Sequence, residues 1–494
     1  MSTDHPITIQ PRLAFTISIS EALLLPLVII LGLVVIFSSN LDYAFNTILL
    51  LITTTVLGFI IAKKTSIALG EPKLKVLGLF WLFKVLATIL LLYWGWMPDL
   101  DYNSSTSWGY DPQRYYHYSS ELISNDWVPN FGLNYMGIVY YYSAIFAVIG
   151  RNPLIPSLIN ILVTLLGVLF LIRTLYAFNP NRSINDWRVA YLLLIPEVLW
   201  YDVMTSRETL MATLILFVSL IIGRKIVAYK DTGIINSWLI AFALSIAILA
   251  VRATMIIPLL FGALLMFLIL TKKSRGSISR RFIILITLLF AVFFTVIAAP
   301  MILDFLGTST FNFASQFISL MSANENIASN IDGWSDRSIG LLLMPEGPLQ
   351  ALFFLPFRMI LYLAAPLPQI SVTASGLISG HYSAWQNLMT LPTSLLMMLL
   401  FPFVLAGTSL AWRIRRQIPE ALIIPITFWV NFSAVAGGNL IIHERYRLMF
   451  TLLFFACVWI GYTRCNSASI KRWAMLWFSS ICSLFTFYSV YKFI

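Results

Sequence analysis

The chain has 494 residues, 59% of them hydrophobic and only 11% charged, with a formal charge of +11. A soluble domain carries about 25% charged residues, so the composition describes an all-α polytopic membrane protein. Its Lys and Arg sit in short clusters between apolar segments, the pattern of the positive-inside rule rather than of nucleic-acid binding.

Three cysteines, Cys457, Cys465 and Cys482, have neither disulfide-framework nor metal-site spacing. The polar N-terminus and a first apolar run without a small-residue cleavage site give no signal-peptide pattern. A membrane span needs about 20 mostly apolar residues, and the first two are expected near 20–38 and 45–62. The following loop carries Lys63, Lys64, Lys73 and Lys75, which places it, and with it the N-terminus, in the cytoplasm. A third span near 76–96 then delivers the polar run from Asp99 to Gly132 to the outer face. Lys84, early in that span, is expected to snorkel to the cytoplasmic surface.

The run Asp99–Gly132 mixes acids with aromatics, and Arg114 is its only basic residue. Gly109-Tyr110-Asp111-Pro112 reads as a helix start, with Asp111 capping the first turn and Pro112 at the first helical position. The apolar stretch Asn134–Gly150 is expected to lie along the outer interface, where Tyr135, Tyr140, Tyr141 and Tyr142 would anchor it. If it crossed, Arg173, Arg182 and Arg188 would land outside. Spans then follow near 155–173, 187–203, 208–223, 236–251, 254–271 and 282–303. The basic loop from Lys272 to Arg281 is cytoplasmic, and a second outer loop runs from Asp304 to about Gln350. Ala351–Pro366 is again expected to be interfacial, since crossing would put Arg413, Arg415 and Arg416 outside. Spans near 388–411, 418–436, 447–463 and 473–490 bring the expected total to about thirteen and leave the C-terminus outside.

Three features converge on the outer face: Asp111, the turn at Arg207-Glu208, and the cluster His443-Glu444-Arg445-Tyr446-Arg447. Charges at span ends near membrane depth face a partner or a wet cavity. Asp111 is either a helix cap or a general base that activates an acceptor nucleophile. Glu208 is either a metal ligand or second acid, or an internal partner of Arg207 or Arg252. Arg445 and Arg447 are either a phosphate clamp, since guanidinium matches phosphate oxygens in bidentate fashion, or anchors to headgroups and to Glu444. His117, His381 and His443 are too scattered to argue a metal site. There is no Walker loop, GxSxG, HExxH or CxxC pattern, and the missing P-loop argues against an ATP-driven pump with its motor on this chain.

This layout resembles the integral-membrane glycosyltransferases of the GT-C fold, among them the protein O-mannosyltransferases and bacterial aminoarabinose transferases. Gly109-Tyr110-Asp111-Pro112 with Tyr115 and Tyr116 resembles their acid-bearing first outer loop, although Pro112 stands where a second acid is often found. The run 129–173 resembles the interfacial helix and following span. Ile195-Pro196 through Ser206-Arg207-Glu208 resembles the later span pair with its acid, here Glu where Asp is common. Arg445-Tyr446-Arg447 resembles the late Arg-Tyr-Arg of bacterial members. On this resemblance, residues 76–494 form the GT-C-like domain, with outer loops 97–154 and 304–387, and residues 1–75 add two spans and a basic loop.

The resemblance implies inverting transfer of a sugar from a polyprenyl-phosphate donor to a lipid, glycan or protein acceptor, outside the plasma (bacterial inner) membrane. Asp111 would be the base, and Glu208 would orient the acceptor or hold a divalent cation such as Mg2+ or Mn2+. Arg445 and Arg447, with His443 and Arg207 beside them, would hold the donor phosphate. Tyr110, Tyr115 and Tyr116 would line the substrate pocket. Two other readings stay open: an outer-leaflet polysaccharide polymerase or ligase, and a transporter, which would place charges and broken helices at the bilayer midplane.

Overall fold

The computed structural model describes residues 17–38, 43–69, 72–96, 111–129, 136–177, 187–227, 234–252, 255–270, 348–365, 372–379, 382–438 and 444–493. The expected span at 282–303, the loop 304–347, Asp99–Tyr110 and His443 lie outside them. Every regular element among the described residues is helical. In chain order the α-helices of two turns or more are α1 (Ile19–Ser38), α2 (Ala44–Leu69), α3 (Val76–Leu90), α4 (Asp111–Ser124), α5 (Met136–Ile149), α6 (Leu154–Ala177), α7 (Pro196–Val203) and α8 (Glu208–Val227). There follow α9 (Ile234–Arg252), α10 (Ile256–Leu270), α11 (Pro348–Ala364), α12 (Tyr382–Ile414), α13 (Ile423–Gly438), α14 (Glu444–Arg464) and α15 (Ser467–Phe493). Eight helices among the described residues are long and apolar enough to cross a membrane, so the chain is an all-α, multi-pass membrane protein.

Two sets of contacts fix which helix ends lie together. At one end Lys63 pairs with Glu21 at 2.8 Å, Arg173 donates to the Thr65 hydroxyl at 3.3 Å, and Arg188 donates to the Tyr462 hydroxyl. At the other end the Asn46 amide donates to the Ile149 carbonyl at 2.6 Å, and Arg445 meets Asp111 at 2.7 Å. Helix direction then assigns Arg224, Lys225, Arg413, Arg415, Arg416, Arg464, Lys471 and Arg472 to the first end, the one that carries most of the basic residues among those described. Asp111, Arg207, Glu208, Arg252 and Arg445 share the opposite end.

α5 lies across the ends of its neighbours. Gly137, at its start, packs on the Ala250 carbonyl near the end of α9, and Ile149, at its finish, binds Asn46 near the start of α2. Both of these neighbouring helix ends are at the end opposite the basic clusters. Its hydroxyl-bearing face joins α4: Ser119 donates to the Val139 carbonyl and Ser143 to the Ser119 carbonyl. Tyr142 is fully buried, so it is not the surface anchor expected for it, while Tyr140 stacks on Trp127 with ring centroids 6.5 Å apart.

The span expected at 187–203 is not one α-helix. A 3-10 helix, Trp187–Leu194, meets α7 at Ile195, whose backbone is extended (φ −60°, ψ 121°). Pro196 explains the break: the ring disfavours helical geometry in the residue before it and removes an N–H, yet suits the first turn of a new helix. Elsewhere small residues let helices close. Gly461 of α14 faces the Phe403 backbone of α12, and a Cβ on Gly407 would stand 2.8 Å from the Cys457 carbonyl oxygen. Small residues at crossings of this kind are how membrane helices gain packing energy without a hydrophobic driving force.

Candidate functional site

Residues far apart in sequence meet at the end opposite the basic clusters. Asp111 opens α4, as the Asp-Pro pair predicts, and its Oδ2 accepts from Arg445 Nη1 at 2.7 Å. Arg445 stands in the first turn of α14, and its Nη2 donates to the Tyr446 hydroxyl at 2.9 Å. Its guanidinium also lies 4.9 Å from the Tyr446 ring centroid, and that of Arg252, from the last turn of α9, lies 4.8 Å away. Glu208, the first residue of α8, adds its field to Arg445 together with Asp111. Arg207 pairs with Glu208 at 3.4 Å.

Exposure divides this group. The Asp111 and Arg445 side chains are 35% and 29% exposed, whereas Glu208 and Arg207 are nearly enclosed. The open face of the site is therefore the Asp111–Arg445 pair, with the Arg207–Glu208 pair forming its inner wall. Such an arrangement can accept a proton at a carboxylate and bind an anion at a guanidinium a few ångströms away.

Two of the expected assignments change. Arg447 is two residues from Arg445 and so points to another side of α14. It is fully buried, with Nε donating to both Glu197 carboxylate oxygens at 3.0 and 3.1 Å. Its Nη1 donates to the Ala365 carbonyl at 2.7 Å and the Ser394 hydroxyl at 2.8 Å, and its Nη2 to the Thr390 carbonyl at 3.4 Å. A guanidinium committed in this way ties α14 to α7, α11 and α12 and does not hold a donor phosphate. Tyr115 and Tyr116 are also buried, and Tyr116 packs edge-on against Phe146 of α5 under the Arg151 guanidinium. They fasten α4 to the fold rather than wall an open pocket.

Lys84 does not snorkel. Its side chain is enclosed and binds Asp202 at 2.5 Å, with the Thr164 hydroxyl donating to the other Asp202 oxygen at 2.7 Å. Sequence reasoning misses Glu197 and Asp202. The signal is there: each is an acid inside an apolar run, and an acid at that depth requires a partner.

Among the described residues no three His, Cys, Asp or Glu side chains cluster to hold a metal ion. Glu208, the expected ligand, pairs with Arg207 at 3.4 Å, so a guanidinium and not a second carboxylate stands beside it.

No protein-family profile, curated protein or solved structure matches this chain.

Proposed function

We propose that the chain is a GT-C-like membrane glycosyltransferase that moves a sugar from a polyprenyl-phosphate donor to an acceptor hydroxyl outside the cytoplasmic membrane. The observation that carries this reading is the meeting of Asp111 and Arg445, 334 residues apart in the chain, at the end opposite the basic clusters. By the positive-inside rule the basic end is cytoplasmic, which puts the site outside. The helix α5, laid across the ends of α2 and α9, supports the same reading.

In this mechanism the acceptor oxygen attacks the anomeric carbon as the bond to the phosphate oxygen breaks. The Asp111 carboxylate takes the acceptor proton, and the phosphate leaves with the bonding pair. Arg445 stabilises the charge that develops on it. One guanidinium can serve a carboxylate and a phosphate through different N–H groups, so Arg445 sets base and leaving group on either side of the sugar. Glu208 holds Arg207 and lends its field to Arg445.

Asp111→Asn tests the reading. Asn caps a helix about as well as Asp, so the protein folds, and transfer from a polyprenyl-phosphate sugar falls by roughly 10²–10⁴-fold. Transfer at the wild-type rate rules Asp111 out as the base.

One observation favours a second reading, a transporter. The Lys84–Asp202 pair lies beside a helix broken at Ile195, and ionisable pairs and broken helices mark transport paths. Both side chains are closed to solvent, which weighs toward structure. Solute flux in proteoliposomes that is abolished by Asp202→Asn, with no sugar transfer in the parent, selects the transporter.

A further inference from the structure

The turn that carries Glu208 is held from behind by side chains of two other helices. Residues 204–206 link α7 to α8, whose first helical bond runs from the Met211 N–H to the Arg207 carbonyl at 2.9 Å; the carbonyls at the end of α7 and along the link need partners from outside those helices. α5 and α6 supply the donors. The Tyr142 hydroxyl donates to the Ser206 carbonyl at 2.8 Å, and the Asn160 amide donates to the Met204 carbonyl at 2.8 Å. The same Asn160 nitrogen lies 3.2 Å from the Tyr142 oxygen and 3.3 Å from the Asp202 carbonyl. Since Tyr142 has one proton and spends it on Ser206, it accepts from Asn160. One α-turn before Asn160, the Ser157 hydroxyl donates to the Val203 carbonyl at 2.6 Å.

All three side chains are buried. A buried tyrosine or asparagine in a membrane bundle is costly unless its polar atoms are used. Here they are spent on the backbone immediately before Arg207 and Glu208, and not on helix-to-helix pairing alone. Below them Asp202 is anchored by Lys84 and Thr164. The chain is thus pinned at Asp202, Val203, Met204 and Ser206 in succession, which fixes where α8 begins and where Glu208 stands relative to Asp111 and Arg445.

We propose that Tyr142 and Asn160 are positioning residues that set the Arg207–Glu208 turn against the Asp111–Arg445 pair, a proposal whose catalytic consequence rests on the transfer reading. α5 then acts as a spacer between the two halves of the site. It joins the Asp111 helix through Ser119 and Ser143, and the Glu208 turn through Tyr142.

The test uses the full chain in lipid nanodiscs, with Tyr142→Phe and Asn160→Leu. Each removes donors to the turn while keeping a side chain of similar size. Amide hydrogen exchange in a peptide spanning residues 203–209 is expected to rise about tenfold, the effect of losing one hydrogen bond. Exchange in α6 and in the remainder of α8 stays at wild-type rates. With a polyprenyl-phosphate sugar as donor, kcat falls about tenfold and the donor KM stays within about twofold. Unchanged exchange at the turn overturns the proposal, as does a rise spread over α5 and α6. Loosened exchange with undiminished kcat overturns it too. Absence of transfer in the parent protein defeats the transfer reading and the catalytic half of the proposal, while exchange still decides whether these side chains hold the turn.

Discussion

The two arginines of Arg445-Tyr446-Arg447 show how two residues of spacing separate two roles. Arg445 is partly open and shares an ion pair with Asp111; Arg447 is sealed against Glu197. A partly exposed pair is screened by solvent and contributes about 1 kcal/mol, so Arg445→Gln is expected to cost much less stability than breaking the sealed pair while it removes sugar transfer. Breaking a buried pair strands a charge and costs about 3–5 kcal/mol. Glu197→Gln is therefore expected to lower the thermal midpoint in nanodiscs sharply, and the double variant Glu197→Gln/Arg447→Leu to recover much of the loss. A midpoint unchanged by Glu197→Gln contradicts a structural role for the pair. The sequence carries the composition of the cluster but not this division. Charge, not direction, is legible in Arg-Tyr-Arg, and direction follows from the register of α14 against Ser394 and Glu197, 53 and 250 residues upstream of Arg447.

At the scale of elements, the sequence is most readable where chemistry is local. The Asp111-Pro112 start and the basic ends of α8 and α12 follow from residue type and spacing; the break before Pro196 lies inside the single span expected over 187–203. Pro196 is the local signal that 187–203 forms two short pieces, and the apolar residues on both sides of it make the run read as one span. Which faces touch is not readable, because α2, α3, α12 and α14 are apolar nearly all round. Their packing is decided by steric fit, as at Gly461. Gly461→Ala forces a methyl against the Phe403 carbonyl and is expected to cost about 1–3 kcal/mol or more through overpacking. Gly437→Ala, which meets only Leu355 at 3.5 Å, is expected to be neutral. Denaturation of the two variants side by side checks this; equal midpoints would mean that the α12–α14 crossing is not close.

For the whole molecule the testable quantity is sidedness. Asp126 and Ser379 are exposed at the site end, and Gln417 is exposed at the basic end. In a background with Cys465 and Cys482 replaced by serine, and Cys457 left because it is buried, single cysteines at Asp126 and Ser379 are expected to react with a membrane-impermeant thiol reagent from outside. A cysteine at Gln417 is expected to react only after the cytoplasmic face is opened. Labelling of Asp126 and Gln417 from the same side contradicts the helix directions that put the site opposite the basic clusters.

The Asp111–Arg445 pair closes over 334 residues of chain. At about 5–20 residues synthesised per second, roughly 20–70 s separate the two partners on the ribosome. During that interval α4 and α5 are already made, but the guanidinium that will face Asp111 does not yet exist. The site is thus among the last parts of the protein to be completed, and its two halves must find each other after α6 through α13 have been inserted. Slow or disordered insertion of the intervening helices would leave a membrane protein with most of its helices in place and no working centre.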